Sequence, residues 1–346
     1  MLNVGIAGIG FMGWIHYLAY QRVRGVKLAA LCTRDAKKRS GDWRGIQGNF
    51  GPPGEQVDLA GVATYEQYRE MLSDPKIDVV DICLPPDLHA MATLEALKAG
   101  KHVFCEKPLA LTAAECSKMV AAAKKVRRLL LVGHVLPFFP EYAHARKLID
   151  SGKYGKLLGG SFKRVISDPL WLKDFYDPQK VGGPLVDLHV HDAHLIRMLF
   201  GMPNRVVSQG RMRGDVVDFC ESLFGFEDAS LVVRATSGVI NQQGRPFTHA
   251  FEIYLEKATL NYELGAFADN VELMPLKVLT DKGKVLRPEL GGGDEITAFE
   301  GEIKEVVRSI KSGAASNILS AELARDAIVL CHKQSESIKN GKPVRV

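Results

Sequence analysis

The sequence of 346 residues predicts an α/β protein in two parts, an N-terminal doubly wound parallel sheet and a C-terminal α+β part with an open, mostly antiparallel sheet. Two observations carry this prediction. Short apolar runs alternate with helical patterns over the first third of the chain, which is typical of parallel strands connected by helices. Farther on, apolar and charged residues alternate with period two, as in antiparallel strands that have one face in solvent.

Each element of the N-terminal part has a local signature. Apolar runs predict strands at 2–7, 26–32, 78–84, 102–105 and 129–132, and helical spacing predicts helices at 11–23, 88–99 and 112–125. Gly100 ends the second helix because glycine readily adopts the left-handed backbone of a helix C-terminus. Thr112 and Glu115 have the spacing of a capping box, which begins the third helix. Residues 41–54 hold five glycines and two prolines, and they predict a loop inserted after the second strand.

The C-terminal part has a different pattern. Strand-like runs occupy 157–164, 217–226, 230–236, 251–256 and 271–280, and helical spacing predicts two final helices at about 297–311 and 320–339. We place the boundary at 128/129, so that residues 1–128 and 129–346 form separate domains. The last helix is a candidate to pack back on the first domain.

Composition argues against several classes of protein. Hydrophobic residues make up 46% and charged residues 25%, a balance typical of soluble globular proteins. The net charge of +5 is small and no block of like charges occurs, so we expect no nucleic-acid partner. Residues 1–21 carry no charge, but four glycines and the lack of a cleavage site argue against a signal peptide or a membrane span. Six cysteines without a C-x-x-C pair predict reduced thiols in a cytoplasmic protein.

A glycine-rich turn follows the first predicted strand. In this G-x-G-x-x-G motif, Gly8 allows a tight turn, Gly10 lets the backbone approach a pyrophosphate, and Gly13 lets helix and strand pack closely. The N–H groups at the start of the helix, at Phe11 and Met12, would then hold the phosphates. The motif is weak alone, but between a strand and a helix it predicts a dinucleotide-binding Rossmann domain.

The end of the second strand bears on the choice of dinucleotide. Enzymes that use NAD tend to place Asp or Glu there to hold the ribose hydroxyls, whereas this chain has Thr33, followed by Arg34 and Lys38. Cations at this place suit a 2′-phosphate, which an acid would repel. We therefore predict NADP as the preferred cofactor. NAD is the alternative, since Asp35 could fold back onto a ribose.

Two further clusters point to chemistry. Lys107 follows the strand at 102–105, and doubly wound sheets bind ligands at the carboxyl ends of their strands. Asp187 and His191 are four residues apart and share one face of a predicted helix, with His194 three residues farther on, on the same side. A carboxylate near an imidazole supports a general base. On position alone, Lys107 could equally be an ordinary charge at a strand end. For the second cluster, three histidines within six residues favour a functional site over an ordinary helix start.

On these motifs the chain resembles the glucose–fructose oxidoreductase / inositol dehydrogenase / rhizopine-catabolism (Gfo/Idh/MocA) family of nicotinamide-dependent oxidoreductases over nearly its whole length. The similarity lies in the glycine turn with His16 beyond it, in Pro85-Pro86-Asp87-Leu88-His89, in the run 99–109 with Glu106-Lys107-Pro108, and in Gly182-Gly183-Pro184-Leu185-Val186-Asp187 leading to His191. The resemblance implies an open C-terminal sheet that supplies the substrate face and often a subunit interface, hence a homodimer or homotetramer. It also implies a cis bond between Lys107 and Pro108.

The resemblance implies the site residues as well. Lys107, Asp187 and His191 form the implied catalytic set. The implied cofactor contacts extend from the glycine turn and the second strand to Leu84, Pro85, His89, Glu106 and Lys107. Near the substrate we expect Trp171, whose ring could stack on a sugar or simply pack in its loop. Arg164 or its neighbour Lys163 could bind an acidic sugar, because only one of two successive strand residues faces the site. We also expect His189 and His194 there, at positions where many relatives have glycine and aspartate.

The expected reaction removes a proton from a sugar or polyol hydroxyl while the carbon transfers hydride to the nicotinamide. An imidazole titrates near pH 6.5 and a lysine ammonium only near about 10.4, so His191 is favoured as the base. Lys107 would then orient the hydroxyl and stabilise an alkoxide, with Asp187 holding either partner.

Three alternatives stay open. The residues between Asp187 and His194 include possible ligands for a divalent ion, although we predict no metal. A retained cofactor could serve transient oxidation that eliminates or hydrolyses a glycoside. The chain could also bind the cofactor as a regulator without catalysis. Net formation of NADPH separates the dehydrogenase from the redox-assisted route.

Overall fold

The computed structural model describes residues 1–346, which divide into two units. The first unit comprises Met1–Phe138 with Gly292–Arg325, and the second comprises Phe139–Gly291 with Asp326–Val346. This division differs from the predicted boundary at 128/129 because the strand that follows residue 129 pairs within the first sheet. We considered that the whole last helix packs on the first domain. Only the first turn of this helix groups with the first unit.

The chain contains nine α-helices and fifteen strands. The helices are α1 (Phe11–Arg22), α2 (Ala36–Arg39), α3 (Tyr68–Ser73), α4 (His89–Lys98), α5 (Ala113–Val126), α6 (Pro140–Asp150), α7 (Val190–Phe200), α8 (Thr297–Ser312) and α9 (Ala321–Asn340). The strands are β1 (Leu2–Ala7), β2 (Val26–Cys32), β3 (Ala63–Tyr65), β4 (Val79–Ile82), β5 (His102–Glu106), β6 (Leu130–Gly133), β7 (Leu157–Ser167), β8 (Arg205–Arg213), β9 (Val216–Gly225), β10 (Val232–Ile240), β11 (Phe247–Leu255), β12 (Ala258–Ala266), β13 (Val271–Thr280), β14 (Val285–Leu286) and β15 (Val344–Arg345).

A six-stranded parallel sheet forms the centre of the first unit, in the order β3-β2-β1-β4-β5-β6. Every residue of β4 and β6 is buried, as expected for strands of a parallel sheet covered on both faces. The structure confirms the predicted parallel sheet and adds β3 and two short helices, α2 and α3, that the sequence patterns did not reveal. Thr112 caps α5 as predicted, since its Oγ1 accepts a 3.2 Å hydrogen bond from the Glu115 N–H, and its hydroxyl donates to Glu115 Oε2 at 2.8 Å.

A nine-stranded sheet forms the centre of the second unit, in the order β14-β13-β12-β11-β7-β10-β9-β8-β15. Its pairs are antiparallel except for β7 and β10, which confirms the predicted mostly antiparallel sheet. Several apolar side chains of this sheet are exposed, among them Leu223, Val232 and Leu273. Self-association through this sheet stays a prediction.

The six cysteines are free thiols, and five of them are buried, as the sequence predicts. No helix in the structure combines the length and the apolar character that crossing a bilayer requires. The cytoplasmic location stays a prediction.

Candidate active site

The glycine turn of the first unit has the backbone that its motif predicts. Gly8 has φ +96°, and a Cβ there would lie 2.6 Å from the carbonyl oxygen of Cys83. A Cβ on Gly13 would lie 2.2 Å from the Gly8 carbonyl oxygen, so helix and turn can approach this closely only through glycine. A Cβ on Gly10, in contrast, would meet no atom within 4 Å. Gly10 therefore borders open space, where a ligand can approach the main chain.

The start of α1 offers donors to such a ligand. The helix begins at Phe11 with Gly10 as its N-cap, and no side chain caps it. The first N–H groups of a helix have no partner within the helix, and the helix dipole favours an anion there. The turn and the helix start together fit the pyrophosphate of a dinucleotide, with Phe11 and Met12 in the first turn.

The end of β2 carries the predicted cations. Arg34 is exposed and Thr33 is partly exposed. The Lys38 ammonium donates a 2.7 Å hydrogen bond to the carbonyl oxygen of Ile9, which places this cation beside the glycine turn. Asp35 caps α2, because its Oδ1 accepts from the N–H groups of Lys37 and Lys38 at 2.9 and 3.3 Å. One oxygen of the nearby acid is therefore already committed to the helix start.

The loop at 41–54 packs against this region. Trp43 is fully buried, and its Nε1–H donates to the carbonyl oxygen of Lys38 at 2.8 Å. Trp14 of α1 donates in the same way to the carbonyl oxygen of Pro52. The sequence predicts a loop here, and the structure adds that its tryptophan fixes the main chain of the lysine beside the turn.

His89 ties the segments that follow β4 and β5 together. Its ring is 1% exposed, with Nδ1 2.7 Å from the carbonyl oxygen of Pro108 and Nε2 2.8 Å from that of Leu84. The Lys107–Pro108 bond is cis, as the resemblance implies. His89, which we predicted to contact the cofactor, therefore directs both ring nitrogens to the main chain, whereas Leu84 and Pro85 remain partly or fully exposed.

Lys107 lies at the carboxyl end of β5 with its side chain partly exposed. The preceding Glu106 is 5% exposed, and its Oε2 accepts a 3.0 Å hydrogen bond from the Lys107 N–H. Glu106 is thus directed inward, although we predicted a cofactor contact for it. Inside the unit, Glu106 is linked to Asp81 through the ring of His16. The sequence patterns did not lead us to Asp81, although a carboxylate within the otherwise apolar strand β4 was the available signal.

The second unit carries Asp187 and His191. Gly182 and Gly183 have φ values of +83° and +76°, and the chain then forms a π-helical turn over Leu185–His189 before α7. We predicted an ordinary helix here, and the π turn is a difference that often accompanies functional sites. Within residues 183–196, only Asp187 and His191 are partly exposed, and all others are buried. The two side chains therefore share the accessible face of this segment, as their spacing predicts, whereas His194, which the spacing placed on the same side, is buried.

The two other histidines of this segment lie inside the unit. His189 and His194 are both fully buried. The Gln334 side-chain amide donates to His189 Nε2 at 2.9 Å, and burial lowers the pKa of His189, so this imidazole is neutral. The substrate contacts that we predicted for both histidines are not supported by this burial. Trp171, by contrast, is 61% exposed and accessible to a ligand.

Arg164 lies in the interior of the second unit. Its Nε and Nη2 lie 2.7 and 3.1 Å from the two carboxylate oxygens of Asp192, and both residues are buried. The neighbouring Lys163 pairs with Glu263 nearer the surface. A guanidinium neutralised in this way is poorly placed to bind an acidic sugar, because the ligand would have to displace Asp192.

Groups of possible metal ligands occur only in the first unit. The two sets whose three ligand atoms lie within 4.8 Å of one another are His16 with Asp81 and Cys83, and His16 with Glu106 and Glu302. The histidine-rich segment of the second unit forms no such set.

Known protein families and individual proteins are similar to this chain. Residues 2–134 match the family model described as "Oxidoreductase family, NAD-binding Rossmann fold", and residues 142–261 match the model of the GFO/IDH/MocA C-terminal domain. The chain is 25% identical to a myo-inositol 2-dehydrogenase of Thermotoga maritima over 100% of this chain and 98% of that enzyme. It is 37% identical to an inositol 2-dehydrogenase/D-chiro-inositol 3-dehydrogenase of Lactiplantibacillus plantarum, but over only 45% of this chain and 42% of that enzyme.

Among solved structures, a levoglucosan dehydrogenase in complex with NADH and levoglucosan superposes with a TM-score of 0.79, at 24% identity and covering 100% of this chain and 99% of the other. At this identity the similarity establishes the fold. The two family models together cover the dinucleotide domain and most of the second unit. The chain therefore belongs to the Gfo/Idh/MocA family of NAD-binding oxidoreductases.

Proposed function

We propose that this protein is an NAD(P)-dependent dehydrogenase or reductase that acts on a CH–OH group of a sugar, a polyol or a sugar derivative. The observation that carries the proposal is the pair Asp187 and His191, the only accessible side chains of an otherwise buried helical segment. The glycine turn supports the cofactor, and the relatives named inositol dehydrogenases support the substrate class.

Each catalytic side chain has a chemical role. The nicotinamide, when bound, supplies the hydride acceptor or donor. His191 takes the proton of the substrate hydroxyl, since an imidazole changes its charge near neutral pH. The Lys107 ammonium donates a hydrogen bond to the same oxygen and stabilises its negative charge. Asp187 orients His191 of the same segment, and the exposed ring of Trp171 stacks on the sugar.

A substrate panel tests the proposal. The purified protein is incubated with NADP or NAD and with sugars and polyols, inositols included, and turnover is followed by the absorbance of the reduced cofactor. Loss of a positioned acid or base typically lowers rates by about 10² to 10⁴, so we expect His191→Ala and Lys107→Ala to lose at least about 100-fold. His332→Ala and Lys118→Ala, at exposed helical positions, are the matched controls. Rates of the two active-site variants within a few-fold of wild type would refute the assignment.

We also propose that NADP is preferred over NAD. The support is the Lys38 ammonium 2.7 Å from the Ile9 carbonyl oxygen, the exposed Arg34, and Thr33 in place of an acid. A hydrogen bond to a charged group contributes about 1.5–3 kcal/mol, which corresponds to roughly 10- to 100-fold in affinity. Lys38→Met and Arg34→Ala should each weaken NADPH binding by this factor.

Fluorescence titration with NADPH and NADH measures this preference without turnover. The two variants should leave the NADH dissociation constant within about three-fold of wild type, because NADH has no 2′-phosphate. Lys27→Met removes an exposed cation from β2 and is the control. Equal losses of affinity for both dinucleotides would show that the cations do not select the 2′-phosphate.

A further inference from the structure

A buried row of charged groups lies beneath Lys107 in the first unit. His16 of α1 and Asp81 of β4 are 0% exposed, and Glu106 at the end of β5 is 5% exposed. The His16 ring joins the two acids, with Nδ1 2.8 Å from Asp81 Oδ2 and Nε2 3.0 Å from Glu106 Oε1. A ring that meets a carboxylate oxygen at each nitrogen donates at both, so His16 is an imidazolium.

The charge of this ring is consistent with its surroundings. Burial is the largest single influence and opposes the charge, but the charge and hydrogen bonding of Asp81 and Cys83 together outweigh it, and the pKa of His16 is raised well above its ordinary value. Tyr20 donates a 2.9 Å hydrogen bond to Asp81 Oδ2, and the ring of Phe104 stacks on His16 at 5.2 Å between centroids. The row is thus packed and hydrogen-bonded along its length.

Glu106 uses one oxygen for each of two tasks. Oε1 accepts from His16, and Oε2 accepts from the main-chain N–H of Lys107 at 3.0 Å. The next residue, Pro108, has no N–H, so the Lys107 N–H is the last main-chain hydrogen-bond donor at the end of β5. The carboxylate therefore holds the main chain from which the Lys107 side chain projects.

The neighbouring strand leaves room for this carboxylate only because it has a glycine there. Gly133 of β6 pairs with Glu106, and a Cβ on Gly133 would lie 2.7 Å from Glu106 Oε1. Glu302 of α8 completes the surroundings. It is fully buried, and its oxygens have no hydrogen-bond partner. Burial and the nearby charge of Glu106 raise the pKa of Glu302 well above its ordinary value, so this acid is neutral.

We propose that Glu106 is a positioning residue for the reaction: anchored by His16 and Asp81, it fixes the main chain at Lys107 and thereby the place of the catalytic ammonium. This inference rests on the proposed function for the role of Lys107. The anchoring itself can be measured independently of turnover, by the exchange of the Lys107 amide hydrogen with solvent.

Two variants disturb the anchor in different ways. In Glu106→Gln, the amide has one acceptor oxygen for two donors, so its NH₂ must face either the His16 ring or the Lys107 N–H. Gly133→Ala keeps every charge and pushes Oε1 aside with a methyl group. Glu302→Gln is the matched control, because it makes the same chemical change in the same buried region, at an acid that is already neutral.

Hydrogen–deuterium exchange resolved at the Lys107 amide reports the anchoring, and steady-state kinetics report its consequence. We expect exchange at least ten-fold faster in Glu106→Gln and Gly133→Ala, kcat lower by at least ten-fold, and KM within three-fold of wild type. Glu302→Gln should match wild type in both measurements. Gly133→Ala decides the result if Glu106→Gln does not fold.

Unchanged exchange of the Lys107 amide in the disturbed variants would overturn the anchoring. Faster exchange with kcat within two-fold of wild type would overturn its role in positioning. If the wild type turns over no sugar or polyol, the proposed function fails, and the exchange measurement still decides whether Glu106 anchors the strand end.

Discussion

The buried ion pair between Arg164 and Asp192 allows a quantitative prediction about the second unit. The side chains are 4% and 2% exposed, and two hydrogen bonds of 2.7 and 3.1 Å join them. Removal of one partner leaves a buried charge without compensation, which costs about 3–5 kcal/mol. We therefore expect Arg164→Met and Asp192→Leu each to lower the free energy of unfolding by about this amount.

The double variant should lose much less than the sum. Apolar replacement of both members of a buried pair is often neutral or stabilising, so we expect the double variant within about 2 kcal/mol of wild type. Urea denaturation of the four proteins gives the coupling free energy of the pair. Lys163→Met is the control, since its partner Glu263 is 39% exposed and such pairs contribute at most about 1 kcal/mol. Single variants of the pair within about 1 kcal/mol of wild type would refute the reasoning and restore Arg164 as a candidate for anion binding.

Three further predictions concern the first unit. Trp43→Phe removes the hydrogen bond to the Lys38 carbonyl, and denaturation should show that the free energy of unfolding falls by about 1–3 kcal/mol. Fluorescence titration should also show weaker NADPH binding, and unchanged NADPH binding would argue against a link between the loop and this lysine. Gly10→Ala should lower dinucleotide affinity at nearly unchanged stability, because its methyl enters open space, whereas Gly13→Ala should destabilise the fold itself; similar stabilities for the two would contradict this. Because the pKa of His16 is raised in the folded state, its contribution is fully present below about pH 6.5 and is lost as the pH rises through the native pKa. The stability difference between wild type and His16→Gln should therefore shrink at alkaline pH, and a constant difference would exclude this linkage.

Local patterns were sufficient for the architecture of the first unit. Strand β1 and the turn at Gly8 follow from an apolar run and from a glycine whose positive φ strongly disfavours any other residue. The Thr112 N-cap also formed as predicted, because it involves residues only three positions apart. The spacing of Asp187 and His191 likewise determined that both side chains reach one accessible face.

The partners of buried charges were beyond the reach of sequence patterns. Arginine is a residue type that often binds anionic ligands, and nothing near Arg164 in the chain indicates that Asp192 neutralises its charge. The same holds for His16, whose partners Asp81 and Glu106 lie 65 and 90 positions away.

The sequence by itself determined the fold class, the dinucleotide turn and the family, because these depend on short-range periodicity and on backbone conformations that particular residues allow. Only the tertiary structure decided which ionisable side chains are buried and paired. Desolvation and pairing depend on what surrounds a group in space, and the residues that surround it come from distant strands and helices.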